Sequence, residues 1–266
     1  MDFPLGKLPG VEKIYQLFSG YYENRLKTEV ENGSRLPKHI GIILDGNRRF
    51  ASERGLSRWN AHKLGAEKLR EVLNWTRDLG IRHVTVYAFS KENLSRDPEE
   101  VEELMELFEE KFKEVLDTPE IEKNEVRVRG IGDLSLLPGS VRKAIERAEE
   151  RTSNFDRYSL NIAVGYTGRS ELAEAVQKIC RGVEEGEIDP GEVDEKMIGE
   201  NLYTSDLPDP DLIIRTSGEE RLSGFLLWQS AYSELYFCEA NWPNFDKINF
   251  LRAIRNYQGR ERRFGE

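Results

Sequence analysis

The sequence predicts a single α/β domain in which helices flank a central, mostly parallel sheet of six strands. The chain has 266 residues, enough for one large domain with a substantial core. Short runs rich in β-branched and aromatic residues alternate with longer segments of helical period. Such alternation is typical of parallel strands joined by crossover helices, and no Pro/Gly/Ser-rich linker or internal repeat divides the chain.

The first predicted element is an amphipathic helix at 11–26, where apolar and aromatic side chains recur every three or four positions. A break rich in glycine and proline follows at 33–37. We therefore divide the chain into an N-terminal helix with linker at 1–36 and a main domain at 37–266. The helix is expected either to pack on the domain or to contact a membrane surface or greasy substrate.

The main domain carries the alternating pattern. Strands are predicted at 40–44, 83–89, 126–131, 159–164, 212–216 and 234–237. Helices are predicted between and after them at 48–54, 62–79, 98–116, 139–151, 170–185 and 193–202.

The helix at 98–116 combines an apolar stripe with acidic residues on its other faces. The stripe contains Leu104 and Phe108, and the acidic set includes Glu99, Glu100 and Glu102. This pattern predicts that the stripe packs on the core while the glutamates lie in solvent.

Charge and composition exclude several classes of protein. Lys and Arg number 39 against 49 Asp and Glu, a net charge of −10, which argues against a nucleic-acid partner. No apolar run approaches the length of a membrane span. With two cysteines and no secretory signal at its start, the chain is expected in the cytoplasm, in contact with a membrane at most peripherally.

The strongest local motif is HIGIILDGNRR at 39–49. A buried strand ends at Asp45, Gly46 follows, and a helix begins beside Arg48 and Arg49. Ligands bind at such strand ends in open α/β sheets, and a helix N-terminus with arginines suits phosphate groups. The motif predicts a diphosphate cradle, in which Asp45 is either a Mg²⁺ ligand or a structural ion-pair partner.

A second cluster follows the strand at 212–216. Arg215, Arg221 and Ser223 suit a second diphosphate, although interleaved glutamates leave open a surface ion pair instead. The chain lacks the Asp-Asp-x-x-Asp of all-helical prenyl synthases, the phosphate loop of nucleotide kinases and any paired-His metal motif. The carboxylate-rich Mg²⁺ clusters of the helical synthases are therefore missing, and a nucleotide kinase or a zinc hydrolase loses its support.

From His39 to Gly265 the chain resembles the cis-prenyltransferases, the undecaprenyl and dehydrodolichyl diphosphate synthase family. The matching blocks are HIGIILDGNRRFA, VTVYAFSKENLSRDPEEVEELMELF, RVRGIGD, SLNIAVGYTGR, DLIIRTSGEERLSGFLLWQSAYSELYF and the RRFG tail. The sequences of these blocks resemble the archaeal and eukaryotic branches of the family more than typical bacterial members. The resemblance implies an undecaprenyl diphosphate synthase-like fold, a homodimer and an enzyme that condenses isopentenyl diphosphate onto farnesyl or geranylgeranyl diphosphate, making a long-chain precursor of glycosyl carrier lipids.

The resemblance also implies roles for individual residues. The allylic diphosphate would be held by Asp45, Gly46, Asn47, Arg48, Arg49, Arg58 and His62. Isopentenyl diphosphate would be held by Arg215, Arg221 and Ser223, and Arg96 would also contact substrate. Ser90 and Asn93 would act at the condensing carbon, while Asp45 and Glu234 would bind Mg²⁺. A tail containing Arg263 and Gly265 would reach the neighbouring subunit, and a product tunnel would be lined by Ala88, Leu104, Leu107, Phe108 and Tyr158.

Two rival functions remain open at this point. One is a non-catalytic partner subunit of the same fold, although such subunits typically lose the residues that match Asp45 and several arginines. The other is a phosphohydrolase with Asp45 as nucleophile. That enzyme would need a second aspartate two residues on, where this chain has Asn47.

Overall fold

The computed structural model describes residues 11–33 and 35–260, with side chains from residue 18 onward. Its helices are α1 (Val11–Glu31), α2 (Asn47–Arg54), α3 (Arg58–Asp78), α4 (Pro98–Asp117), α5 (Pro119–Lys123), α6 (Gly139–Thr152), α7 (Gly168–Glu184), α8 (Glu195–Glu200) and α9 (Lys247–Gln258). Its strands are β1 (His39–Ile43), β2 (His83–Ser90), β3 (Val126–Ile131), β4 (Tyr158–Tyr166), β5 (Leu212–Arg215) and β6 (Glu234–Phe237).

The strands form one six-stranded sheet in the order β3, β4, β2, β1, β5, β6. Every neighbouring pair is parallel, which confirms the predicted α/β class. The chain places β2, β3 and β4 on one side of β1 and then returns to the other side of β1 with β5 and β6. Ligands of open α/β sheets bind at the carboxyl ends of the strands, where the strand order reverses in this way.

The central strands are buried by helices and loops on both faces. All five residues of β1 are buried, as expected for a parallel strand covered on both sides. One core cluster joins β1 and β2 to α1, α3 and α9, with Trp242 and Phe250 fully buried. A second cluster joins β2, β3 and β4 to α4 and α6 around Phe89 and Phe112.

The predicted helix bounds differ from the observed ones mainly at capped ends. α3 begins at Arg58 rather than His62, because Ser57 caps it by accepting a hydrogen bond from the backbone N–H of Asn60 at 3.2 Å. α8 is shorter than predicted, at Glu195–Glu200. The sequence-based prediction supplies no bounds for α5 or α9, although Asp246 caps α9 by accepting from Asn249 N at 2.8 Å.

The N-terminal helix α1 is longer than predicted and packs on α9. Leu26 and Val30 are fully buried in the core cluster that α9 also enters. Phe18 and Tyr21 are both 71% exposed. The described part of α1 therefore contributes to the core through its C-terminal half and leaves two aromatic side chains in solvent.

A buried histidine links β1 to its neighbours. His39 Nδ1 lies 2.6 Å from the carbonyl oxygen of Pro208, and its Nε2 lies 2.7 Å from Thr85 Oγ1. Because a carbonyl oxygen only accepts, Nδ1 carries the proton and Nε2 accepts from the hydroxyl. Burial lowers the pKa of His39 to about 4, so the native state holds this imidazole neutral.

This histidine should make stability depend on pH. At pH values between about 4, the pKa of His39 in the folded state, and about 6.5, its pKa in the unfolded chain, His39 is protonated only in the unfolded state. His39 should therefore remove about 1.4 kcal/mol of unfolding free energy for each pH unit of acidification across that window. Urea unfolding at several pH values should show a shallower pH dependence in His39→Gln. His83→Gln is the control and should change the slope less, because His83 is only half-buried; equal slopes in wild type and His39→Gln would contradict the assignment.

Candidate functional site

A cavity of about 510 Å³ lies at the carboxyl ends of β1, β2 and β5. Its lining contains most of the residues that the sequence singled out, together with apolar neighbours. They are Ile43, Leu44, Asp45, Gly46, Asn47, Arg48, Arg49, His62, Tyr87, Ala88, Phe89, Ser90, Asn93, Arg96, Leu104, Arg215, Ser217, Arg221 and Ser223. The structure thus brings both predicted anion-binding motifs to one cavity.

Asp45 and Arg215 face each other across the ends of β1 and β5. Arg215 Nη2 donates to Asp45 Oδ2 at 2.7 Å, and Gly46 N donates to Asp45 Oδ1 at 2.8 Å. The Thr216 hydroxyl donates to the Asp45 carbonyl oxygen at 2.6 Å. The Arg215 side chain is 4% exposed whereas that of Asp45 is 37% exposed. The carboxylate therefore forms an ion pair with a buried guanidinium while remaining accessible from the cavity.

Gly46 is required by the turn from β1 into α2. Its φ of 102° lies in the left-handed region, and a Cβ there would sit 2.9 Å from the Asn241 Cα. With this turn, the unpaired N–H groups at the start of α2 lie beside the cavity. The Asn47 side-chain oxygen is buried without a hydrogen-bond partner among the described residues.

The loop after β5 holds backbone conformations that non-glycine residues rarely adopt. Ser217 has φ 75° and Ser223 has φ 50°. Such strain persists only where surrounding contacts impose it, and here arginines do so. Arg49 Nη1 donates to the carbonyl and hydroxyl oxygens of Ser217 at 2.6 and 2.7 Å, and Arg215 Nη1 donates to Ser223 Oγ at 2.9 Å.

Two of the predicted diphosphate ligands are engaged by glutamate in this structure. Arg49 Nη2 donates to Glu219 at 3.0 Å, and Arg221 also pairs with Glu219. Both arginines are more than half exposed. The same side chains therefore form surface ion pairs with glutamate and remain accessible to a ligand.

The opposite wall follows β2. Asn93 Oδ1 accepts a hydrogen bond from Ser90 N at 3.1 Å, which ties the short 3₁₀ turn at Lys91–Ser95 to the strand end. Arg96 follows this turn and bonds the buried Glu100, as Arg58 does from the start of α3. Arg58 does not itself line the cavity, but it contacts Glu100, which also contacts the lining residues Arg48, His62 and Arg96.

Three polar residues that line or support this cavity were not proposed as site residues from the sequence. Tyr87 and Ser217 line it, and Glu100 joins several of its cations. Glu100 was predicted to lie in solvent, and this is wrong, since it is 3% exposed. The available signal was its position one turn before Leu104, at the edge of the apolar stripe.

Other predicted residues lie elsewhere. Glu234 begins β6 opposite Leu212, at the amino edge of the sheet, and it accepts a hydrogen bond from Arg260 at 2.7 Å. Within one chain it therefore cannot share a metal ion with Asp45, because parallel strands carry the two residues to opposite edges. Arg263 and Gly265 lie outside the described residues.

A second cavity of about 550 Å³ lies between α3 and α4 on one side and β2 and β4 on the other. Its walls are largely apolar, with Leu69, Leu73 and Ile162 among them, and Tyr158 lies at its amino-edge end. Of the five predicted tunnel residues, Ala88 and Leu104 line the first cavity and Tyr158 the second. Leu107 and Phe108 line neither, and Phe108 packs against Phe89.

The cavity's donor set suits one kind of metal site. The described residues contain no group of three or more His, Cys, Asp or Glu side chains able to enclose an ion. Asp45 presents a single accessible carboxylate among cationic groups. Mg²⁺ is commonly held by one or two carboxylates together with phosphate oxygens of the substrate, so the residues fit Mg²⁺ only when a diphosphate is bound beside it.

Comparison with known proteins finds similarity over nearly the whole chain. A family model described as putative undecaprenyl diphosphate synthase matches residues 43–265. A protein of Methanocaldococcus jannaschii named tritrans,polycis-undecaprenyl-diphosphate synthase (geranylgeranyl-diphosphate specific) is 55% identical, over 97% of this chain and 90% of its own. A Thermoplasma acidophilum protein of the same name is 51% identical, over 95% of this chain and 98% of its own.

Two solved structures are similar as well. Lavandulyl diphosphate synthase from Lavandula x intermedia, in complex with dimethylallyl diphosphate, matches with a TM-score of 0.83 and 34% identity, covering 87% of this chain and 99% of that one. A probable undecaprenyl diphosphate synthase from Campylobacter jejuni matches with a TM-score of 0.72 and 33% identity, covering 88% and 100%.

Proposed function

The chain belongs to the undecaprenyl diphosphate synthase family, and we propose that it condenses isopentenyl diphosphate onto geranylgeranyl diphosphate to make a long polyprenyl diphosphate. The observation that carries this proposal is a cavity with cations on both sides of one accessible aspartate. Two diphosphates need two such sets of donors. The geranylgeranyl primer is proposed because the archaeal relatives carry that specificity in their names.

The residues divide naturally between the two substrates. The start of α2, with Arg48 and Arg49, and His62 beside it are proposed to hold the allylic diphosphate. Arg215, Arg221 and Ser223 are proposed to hold isopentenyl diphosphate. Each charged group lines the same cavity, so the allylic carbon and the double bond that attacks it can meet between them.

The chemistry requires the allylic C–O bond to break, the new C–C bond to form and a proton to leave isopentenyl diphosphate. Fixed guanidinium groups stabilise the charge that develops on the departing diphosphate. Ser90 and Asn93, on the wall that follows β2, are proposed to orient the condensing carbon and assist the loss of its proton. The apolar neighbours Ala88 and Leu104 would keep water from the cationic carbon.

Asp45 is proposed to bind Mg²⁺ through its accessible carboxylate. The ion would supply positive charge to the leaving diphosphate. Glu234 would take part only if it came from another chain, given its position at the amino edge of the sheet.

The growing chain is proposed to extend from Ala88 and Leu104 toward the second cavity and Tyr158. Support for this path comes from the largely apolar walls of the second cavity, beside α3 and α4. The homodimer, with the tail of one subunit reaching its partner's site through Arg263, is proposed from the family resemblance.

A peripheral membrane contact is also proposed, because the product is a lipid. Within the described residues, no helix is long and apolar enough to cross a bilayer. The exposed aromatic pair Phe18 and Tyr21 on α1 is a candidate for insertion at the surface.

Incubation with Mg²⁺, labelled isopentenyl diphosphate and either geranylgeranyl or farnesyl diphosphate tests the activity and the primer. We expect long products with both and a higher kcat/KM for geranylgeranyl diphosphate.

Asp45→Asn should lower kcat by about 10²–10³-fold, while Asp156→Asn, an exposed aspartate near the amino edge of the sheet, should leave it unchanged. A folded Asp45→Asn enzyme with wild-type turnover would contradict the role of Asp45.

Chain length should depend on the space beside Ala88. Burial of each added isoprene unit gains up to ~4 kcal/mol while apolar space remains, so elongation should continue until that space is full. Ala88→Leu should shift products to shorter chains, measured by chromatography at saturating isopentenyl diphosphate. Ala173→Leu adds the same side chain on an exposed face of α7 and should not change the profile; an unchanged profile in Ala88→Leu would place the limiting wall elsewhere.

Sharing of sites across a dimer can be measured by mixing two inactive variants. Asp45→Ala chains supply an intact tail, and Arg263→Ala chains supply an intact cavity. If the tail acts in the partner's site, refolded mixtures should recover part of the wild-type activity. Heterodimers that form but stay inactive would show that the tail serves its own subunit.

A further inference from the structure

Glu100 is a buried carboxylate in the first turn of α4. Its side chain is 2% exposed, whereas the neighbouring Glu99 and Glu102 are exposed. Glutamate is almost never fully buried unless it is paired, because removal of a charge from water is costly. The burial of this one glutamate therefore depends on what surrounds it.

Four side chains from separate parts of the chain surround the carboxylate. Arg58 Nη1 donates to Oε2 at 3.0 Å and Arg96 Nη1 donates to Oε1 at 3.1 Å. Arg48 Nε lies 3.7 Å from Oε2, and His62 Nε2 lies 3.6 Å from Oε1. One carboxylate thus joins α2, the start of α3 and the segment after β2.

Glu100 lies behind the wall of the first cavity rather than in it. Arg48, His62 and Arg96 line that cavity, but Glu100 does not. A diphosphate in the cavity would therefore meet the cations on one side while Glu100 contacts them on the other.

We propose that Glu100 is a positioning residue that holds Arg48, Arg58, His62 and Arg96 in the arrangement that receives the allylic diphosphate. This inference rests on the proposed function of the cavity. Without an internal anion, three guanidinium groups at this spacing would repel one another. Glu100 offsets that repulsion by charge and fixes two of the groups by hydrogen bonds.

The contacts leave the arginines able to bind substrate. A guanidinium has five N–H donors. Arg96 and Arg48 both line the cavity; Arg96 uses one hydrogen bond to Glu100, and Arg48 stands 3.7 Å from it. Most donors of these two groups therefore remain for phosphate oxygens, in an orientation already set before substrate arrives. Such prior orientation contributes to rate because a misplacement of about 1 Å can cost ~10²-fold.

The same contacts determine the electrostatics of His62. Burial lowers the pKa of His62, and the nearby Arg96 and Arg48 lower it further, while Glu100 opposes them. Loss of the Glu100 charge should therefore lower the pKa of His62 still more. A residue that only filled space would not have this effect.

Glu100→Gln keeps the shape and removes the charge. We expect kcat with geranylgeranyl and isopentenyl diphosphates to fall about 10–100-fold, with a smaller change in KM because the added net positive charge favours anion binding. The NMR titration of His62, one of three histidines in the chain, should show a lower pKa than in wild type. Glu102→Gln, exposed on the same helix, should leave kcat, KM and the titration unchanged.

Wild-type kcat together with an unchanged His62 titration in Glu100→Gln would overturn the proposal. If Glu100→Gln does not fold, Glu100→Asp carries the test, since it keeps the charge but shortens the reach to Arg58 and Arg96; a wild-type kcat in this variant would also contradict positioning. If wild-type protein makes no polyprenyl product, the proposed function fails, whereas the His62 titration and binding of inorganic diphosphate still report whether Glu100 organises these cations.

Discussion

The parallel pairing of β1 with both β2 and β5 is the constraint on which the rest of the site depends. Because all three strands end at one edge, the residues that follow them are brought together although they are far apart in sequence. Asp45 meets Arg215 there at 2.7 Å. A one-residue shift in the register between β1 and β5 would move this pair apart and turn the side chains of the shifted strand to the other face of the sheet.

Buried charge at this edge is balanced locally. Arg215 forms an ion pair with Asp45, and Glu100 is surrounded by arginines from three parts of the chain. A buried charge left without its partner is strongly destabilising, so the site and the fold support each other. Arginines that line the cavity also hold the left-handed backbone at Ser217 and Ser223, since Arg49 and Arg215 donate hydrogen bonds to the two serines of the loop after β5.

Much of this arrangement could be predicted from the sequence, because parallel-sheet periodicity and the motif at Asp45 are local signals. The strands and most predicted cavity residues therefore lie where they were expected. The burial of Glu100 could not be read from its acidic helix, since it depends on arginines contributed by other elements. The separation of Glu234 from Asp45 follows from strand direction, which the residues of β6 alone do not reveal.

A crystal structure with Mg²⁺, isopentenyl diphosphate and an unreactive allylic diphosphate analogue tests the account most directly. Two diphosphates should occupy the first cavity, one at the start of α2 with Arg48 and the other against Arg215 and Ser223, with Mg²⁺ on Asp45. The allylic chain should point past Ala88. A single diphosphate, or substrates bound outside this edge of the sheet, would contradict the central claim that one cavity holds both reactants.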